Sequence, residues 1–330
     1  EAFKAGEIDL RTEDDPVRWV EGYRFAAISD GRAVKREFDI KVPSGMAGLA
    51  FNTRRPLFQD QRVRRAFILM FDAEWINRNL FNGLYKRTQS YFERSYLSAH
   101  GRPADGFELP LLLPFRELVK PEILAGTFTL PATDGSGDNR ANLRAAHGLL
   151  TEAGYRLEGS RLTKAGVPLR IEFLAQTRGE ERLMLSFART LERLGIDLRV
   201  RQVDSAQYEL RRKTFDFDML QWNWPASLSP GNEQINRWSS RTAGSEGSQN
   251  LVGVRNPAAD ATIAALLSAE AEPDFAAGVR ALDRVLMSGD YVIPLFFLPK
   301  AWVAHWTHLK HPAVAPLAGF DLDTWWTDRP

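Results

Sequence analysis

The chain has 330 residues, with 43 Lys and Arg against 42 Asp and Glu for a net charge of +1, 44% hydrophobic residues and no cysteine. Its length suggests about two domains of roughly 100–200 residues each and ample chain for a core. The charge balance argues against a nucleic-acid binder, the lack of cysteine removes disulfides, thiolate nucleophiles and Cys-ligated metal centres, and no stretch approaches the roughly 20 uncharged apolar residues of a membrane span.

The opening, Glu1 to Leu10, has no Met and no secretory signal and reads as a helix end at Lys4–Gly6 running into a strand at Ile8–Leu10. Asp30-Gly31-Arg32 is a predicted turn, and Ala33–Val42 is strand-like. Gly45–Phe51 is small and apolar, with Gly45 and Gly48 suggesting close backbone approach, and Asn52-Thr53 closes it. A helix is predicted next, capped by Asp60, with Val63, Ala66, Phe67, Met70, Phe71, Trp75 and Leu80 near helical spacing. The basic run Arg54, Arg55, Arg62, Arg64 and Arg65, opposed only by Asp60, reads as a solvated face at the helix entrance. Residues 82–138 are predicted mostly irregular, which points to binding loops or a surface excursion.

From Asn139 the pattern is regular. Asn139 can cap a helix that carries Leu143, Ala146, Leu149, Leu150 and Ala153 and stops at Gly154. A strand at Leu169–Leu174, a helix at Glu180–Leu194, a strand at Ile196–Val203, a Ser205-capped helix to Lys213 and a strand at Phe215–Trp222 follow. This alternation reads as βαβαβ with a parallel sheet and right-handed crossovers. After a long loop at 223–256, Asn256-Pro257 starts one helix, Pro273 starts another that ends at Gly289, and Tyr291–Leu298 and Ala301–His305 are predicted strands.

Signals for catalysis are weak. There is no nucleophile elbow and no phosphate-cradling glycine motif. His305, His308 and His311 recur at three but sit in a strand- or loop-like segment with Pro312, so they read as surface histidines and no metal site is expected. Asp216/Asp218 and Asp321/Asp323 could each face one way on a strand, yet Phe215, Phe217 and Met219 on the other face make the first pair look like the polar side of a half-buried strand. The richest stretch is Gln221 to Gln234, which follows the C-terminal end of a predicted parallel strand, where open α/β sheets bind ligands. Its tryptophans and amides could form pocket walls or fill core beneath the loop.

The run Met46 to Pro56, with Phe51-Asn52-Thr53-Arg54-Arg55-Pro56, and Phe58 to Ala66 resemble the hinge strand and following helix of family 5 extracellular solute-binding proteins of ABC importers. Glu152-Ala153-Gly154-Tyr155, Leu194-Gly195-Ile196-Asp197, Phe215 to Met219, Asn256-Pro257 to Asp260 and Tyr291 to Leu295 match further family segments in order. Asn77 to Phe81, Tyr91 to Ser95, Thr133 to Gly137 and Ser229 to Gln234 look most like the YejA-type oligopeptide-binding subgroup.

The resemblance implies an α/β, periplasmic-binding-protein-like fold of type II, large cluster: one complete lobe with a βαβαβ parallel or mixed sheet flanked by helices, plus remnants of the other lobe. Residues 1–52 would be a remnant of lobe I, 53–292 the complete lobe II, and 293–330 the return segment. The chain would be a C-terminal part whose signal sequence lies in the missing portion. It implies a non-enzymatic, cofactor-free periplasmic monomer that captures oligopeptides or peptide-like compounds between two lobes and hands them to an ABC permease in the inner membrane. Ligand-binding residues would be Tyr91, Phe92, Trp222, Asn223, Trp224, Asn232, Glu233 and Trp238, and hinge residues Phe51, Asn52, Thr53 and Pro294. Family members that bind a free peptide amino group carry an aspartate just after the loop tryptophan. Here the stretch is Asn223-Trp224-Pro225-Ala226, with no carboxylate until Glu233, which implies a blocked, longer or non-peptide ligand. The other readings are a sensory or chaperone-like binding module and a hydrolase on the same fold.

Overall fold

The computed structural model describes residues 1–327, and the chain falls into two compact units, one of residues 43–76 and 87–295 and a smaller one of 1–42, 77–86 and 296–330. Among the described residues no helix is long and apolar enough to cross a membrane.

The larger unit is built on a five-stranded mixed sheet. Its strands are β1 (Met46–Phe51), β2 (Arg170–Ala175), β3 (Asp197–Gln202), β4 (Met219–Trp224) and β5 (Val292–Pro294), in the spatial order β5-β1-β4-β2-β3. The expected βαβαβ order holds, since β2 pairs in parallel with both β3 and β4. β1 and its neighbours β4 and β5 are antiparallel, so the sheet is mixed. β1 is buried at five of its six residues, as a strand covered on both faces must be, which is why it reads as a continuous apolar run without alternation.

Helices α1 (Gln61–Met70), α2 (Arg140–Glu152), α3 (Arg178–Glu192), α4 (Ser205–Lys213), α5 (Glu233–Trp238), α6 (Pro257–Ser268) and α7 (Glu272–Ser288) belong to this unit. Thr177 and Glu180 form a capping box on α3, and Asn256 caps α6 with Pro257 at its first position. α7 buries eleven residues, including the charged Asp283 and Arg284.

Several boundaries differ from expectation for local reasons. The single helix predicted beyond Asp60 is two, α1 and a helix at Ala73–Phe81. Asp72 Oδ1 accepts the Trp75 N–H at 3.1 Å and so opens a new helix start. Asp204, not Ser205, caps α4, by accepting the Gln207 N–H at 2.9 Å. Asn139 does not cap α2 with its side chain, which instead donates to the Leu69 and Met70 carbonyls. The strand predicted from Phe215 begins only at Met219, because Phe215 takes a φ of 57°. The strand predicted over Tyr291–Leu298 is two short pieces, β5 and Phe296–Phe297.

The basic run is not a solvated face throughout. Arg54 donates to the Ala243, Asn250 and Leu251 carbonyls, and burial, helped by Arg255, lowers its pKa to about 10. Arg64 is buried and donates to the carbonyls of Phe58, Gln59, Gly289 and Asp290. Arg62, paired with Asp60 at 2.7 Å, is the solvated member.

In the smaller unit, Lys300–Trp306 lies between Leu10–Glu13 and Ala33–Asp39 in an antiparallel sheet. Trp19 stacks on Trp302 at 5.5 Å over it.

Candidate ligand-binding site

The C-terminal ends of β2, β3 and β4 share one edge of the sheet, and each is followed by a locally fixed connection: Thr177 before α3, Asp204 before α4, and the 225–232 loop before α5. Gly45 holds the end of β4 in place. Its φ is 71°, and a Cβ there would stand 2.1 Å from the Trp224 carbonyl oxygen. Only a glycine lets the two backbones approach this closely.

The eight expected ligand-binding residues divide by burial. Trp224, Trp238, Tyr91 and Phe92 are core residues, each 4% exposed or less. Trp238 packs on Trp224 at 5.1 Å and meets the edge of Tyr91 at 5.0 Å, and Trp224 Nε1 donates to the Gln249 carbonyl at 3.1 Å. These four rings therefore fill the core under the loop and do not form an exposed wall. Trp222 is half-buried, while Asn223 and Asn232 are exposed. The Arg212 guanidinium lies 5.0 Å from the Trp222 ring centre and is itself tied to Glu209 at 2.8 Å, so the ring is braced from the last turn of α4. In the sequence the signal of this bracing is the basic end of α4, Arg211-Arg212-Lys213.

Glu233 turns its carboxylate back on its own loop. It accepts from the Gly231 N–H at 3.0 Å and from Gln234 Nε2 at 3.0 Å. Partial burial pushes its pKa up, but these bonds, with one from its own N–H, outweigh that and hold it below the usual glutamate value.

The residues expected to form the hinge are mostly packed inside the larger unit. Phe51 and Asn52 are fully buried in the larger unit, where Asn52 Nδ2 donates to the Phe215 and Phe217 carbonyls at 3.0 and 2.8 Å. Thr53 Oγ1 donates to Val252 O at 2.7 Å. Residues pinned this way cannot absorb a large backbone rotation. The chain passes from one unit to the other at 42/43, 76/77, 86/87 and 295/296, which leaves only Pro294 of the expected hinge set beside a crossing.

The acid pairs are tied into ion pairs and a turn, and His305, expected at the surface, is buried at 4% exposure. Asp216 and Asp218 both pair with Arg55, at 2.9 and 3.2 Å, and Asp321 caps the turn at Leu322–Thr324. His308 meets Asp9 at 2.9 Å, and among the described residues no three His, Asp or Glu side chains converge on a metal-sized point.

A mixed sheet flanked by helices, with a partly exposed, braced aromatic ring at the ends of its parallel strands, makes this an α/β protein with a candidate ligand-binding face. The chain belongs to family 5 of the bacterial extracellular solute-binding proteins, whose middle-region model matches residues 1–246. It is 47% identical over 99% of its length to a candidate binding protein of Brucella suis biovar 1, and 42% identical over its whole length to the peptidoglycan-binding protein YepA of Agrobacterium fabrum. It spans 53% and 55% of those two proteins, about half of each. Among solved structures it is similar to the oligopeptide-binding protein AppA of Bacillus subtilis in complex with a nonapeptide, with a TM-score of 0.72 at 16% identity over 99% of this chain and 57% of that one. It is also similar to DppA of Helicobacter pylori in complex with the peptide STSA, with a TM-score of 0.70 at 14% identity over 99% of this chain and 54% of that one. The fold is thus that of the periplasmic binding proteins, and these relatives and neighbours are binding proteins, not enzymes.

Proposed function

We propose that this chain forms part of the substrate-binding component of an ABC importer, a periplasmic monomer that captures oligopeptides or peptide-like compounds and delivers them to a membrane permease. The observation that carries this reading is the strand-end face. Trp222 stands there partly exposed on a braced platform, while the exposed Asn223 side chain projects from the opposite face of β4 and Asn232 is exposed at the end of the 225–232 loop. An extended peptide needs hydrogen-bond partners for its amides and side-chain-tolerant apolar surface, and the Trp222 ring supplies the apolar part. The peptide-bound states of AppA and DppA support the ligand class. Glu233 is committed to Gly231, so this loop has no free carboxylate for a charged amino terminus, and the ligand is blocked, longer, or anchored through its interior amides. Isothermal calorimetry of the intact protein with peptides tests the reading. Trp222→Ala should weaken binding by more than about tenfold, or about 1.4 kcal/mol, and an unchanged affinity would overturn it.

A further inference from the structure

At the other end of the sheet, where Phe51 stands opposite Met219 at the start of β4, the larger unit carries a basic trough. It consists of two adjoining cavities of about 890 and 530 Å³ that share Arg64, Arg255 and Tyr291 on their walls. The chain as a whole is nearly neutral at +1, yet Arg54, Arg64, Arg116, Lys120 and Arg255 all line this trough, against Glu117 alone among lining acids.

The partners of these cations show how little of the charge is cancelled. Lys120 is neutralised by Asp290 at 2.7 Å. Arg54 and Arg64 donate to backbone carbonyls and, for Arg54, to the Asn52 amide oxygen, which hold the guanidinium without cancelling its charge. Arg116 and Arg255 are exposed and have no ion-pair partner among the described residues. The walls between the cations are apolar, with Leu118, Val119, Leu124 and Tyr291.

We propose that this trough is a second binding site, separate from the strand-end face, that receives an acidic, aliphatic-containing segment of a partner protein. Guanidinium groups favour planar oxyanions, which they grip with two parallel hydrogen bonds. A single phosphate would call for cations converging on one point, with backbone N–H groups around it. Here the cations are spread over two cavities and separated by aliphatic surface, which suits carboxylates alternating with apolar side chains along an extended chain. Such charge complementarity sets partner choice and on-rate. None of Trp222, Asn223, Asn232 or Glu233 lines the trough, so the two sites share none of these residues.

The test uses the intact protein and a short labelled peptide rich in Glu and Leu, followed by fluorescence anisotropy, with the same peptide carrying Gln for Glu and with inorganic pyrophosphate as comparisons. The acidic peptide should bind saturably and more weakly as salt rises. The pair Arg116→Glu and Arg255→Glu should weaken it more than about tenfold, whereas Trp222→Ala should leave it unchanged. If the charge reversals unfold the protein, Arg116→Gln and Arg255→Gln should give the same direction of change. Equal binding of the Gln peptide, displacement by pyrophosphate, or indifference to both sets of variants would overturn the proposal. Binding of the acidic peptide that falls in Trp222→Ala but not in the arginine variants would place it at the strand-end face and overturn the trough, while leaving peptide capture at Trp222 standing.

Discussion

Ser90 Oγ donates a 2.6 Å hydrogen bond to Asp283 Oδ2, deep in the larger unit. The same carboxylate accepts the Tyr91 N–H at 2.8 Å and the Ala99 N–H at 2.9 Å, so one side chain on α7 fastens the segment that leads into the Tyr91-Phe92 core. Burial dominates its titration and, against these bonds, raises its pKa from 3.8 to about 6. Between those values the folded protein holds a proton that the unfolded chain has released, so this group's stabilisation is complete below about pH 4 and is lost as pH rises through about 6. Asp283→Asn should flatten that part of the stability profile. It should also lower stability by about 1–3 kcal/mol, because the amide cannot accept all three bonds. Urea unfolding across the window measures both effects, and a slope that persists in the variant would exclude Asp283 as its source.

Next to it, Arg284 and Glu108 form a fully buried ion pair at 2.6 Å. Removing either partner strands a charge in the core, so Glu108→Ala or Arg284→Ala alone should cost about 3–5 kcal/mol. The paired change Glu108→Leu with Arg284→Met should recover most of the loss, since two apolar side chains of similar size avoid the desolvation cost. A double-mutant cycle by chemical denaturation reads the difference; a double variant as unstable as the singles would mean that packing, not charge, sets the cost.

Trp222 and Trp224 are two residues apart and should behave differently. Trp224→Ala removes a core ring and should cost about 3–5 kcal/mol in stability. Trp222→Ala removes a ring that is only partly buried against the core, so it should lower the melting temperature less than Trp224→Ala and weaken ligand affinity more. Differential scanning calorimetry beside peptide titration separates the two, and a large melting shift in Trp222→Ala would put that ring in the core as well.

Gly45→Ala introduces both a left-handed strain and a steric conflict with Trp224 O. Each alone is worth on the order of 1–3 kcal/mol, so the variant should be destabilised by at least that much, and the end of β4 should shift. Near-ultraviolet circular dichroism, sensitive to Trp222 and Trp224, should change along with the melt. An unperturbed spectrum would show that the backbone contact is easily relieved.

Much of the fold is legible locally. The Asn256-Pro257 start of α6, the stop of α2 at Gly154 and the apolar runs of β1 and β2 need no more than short windows of sequence. What escaped was decided by distant chain. An aromatic loop has the same composition whether its rings wall a pocket or fill the core. Trp238 and Tyr91 are buried because segments 147 residues apart meet edge to face. Arg54 and Arg64 look like surface charge because many of the carbonyls that satisfy them lie far along the chain, at Ala243, Asn250, Leu251 and Gly289. Asn52 likewise reads as an ordinary strand end, because the Phe215 and Phe217 carbonyls that hold its side chain lie far along the chain.

The place of β1 in its sheet carries a kinetic consequence. This apolar strand comes early in the chain, but its two neighbours are β4 at residues 219–224 and β5 at 292–294. During synthesis it emerges long before either partner exists, and its pairing must close loops of well over a hundred residues, which slows folding. Until Val292 arrives, Leu49, Ala50 and Phe51 are exposed to other nascent chains. The window of aggregation risk for β1 is therefore set by how soon β4 and β5 follow it.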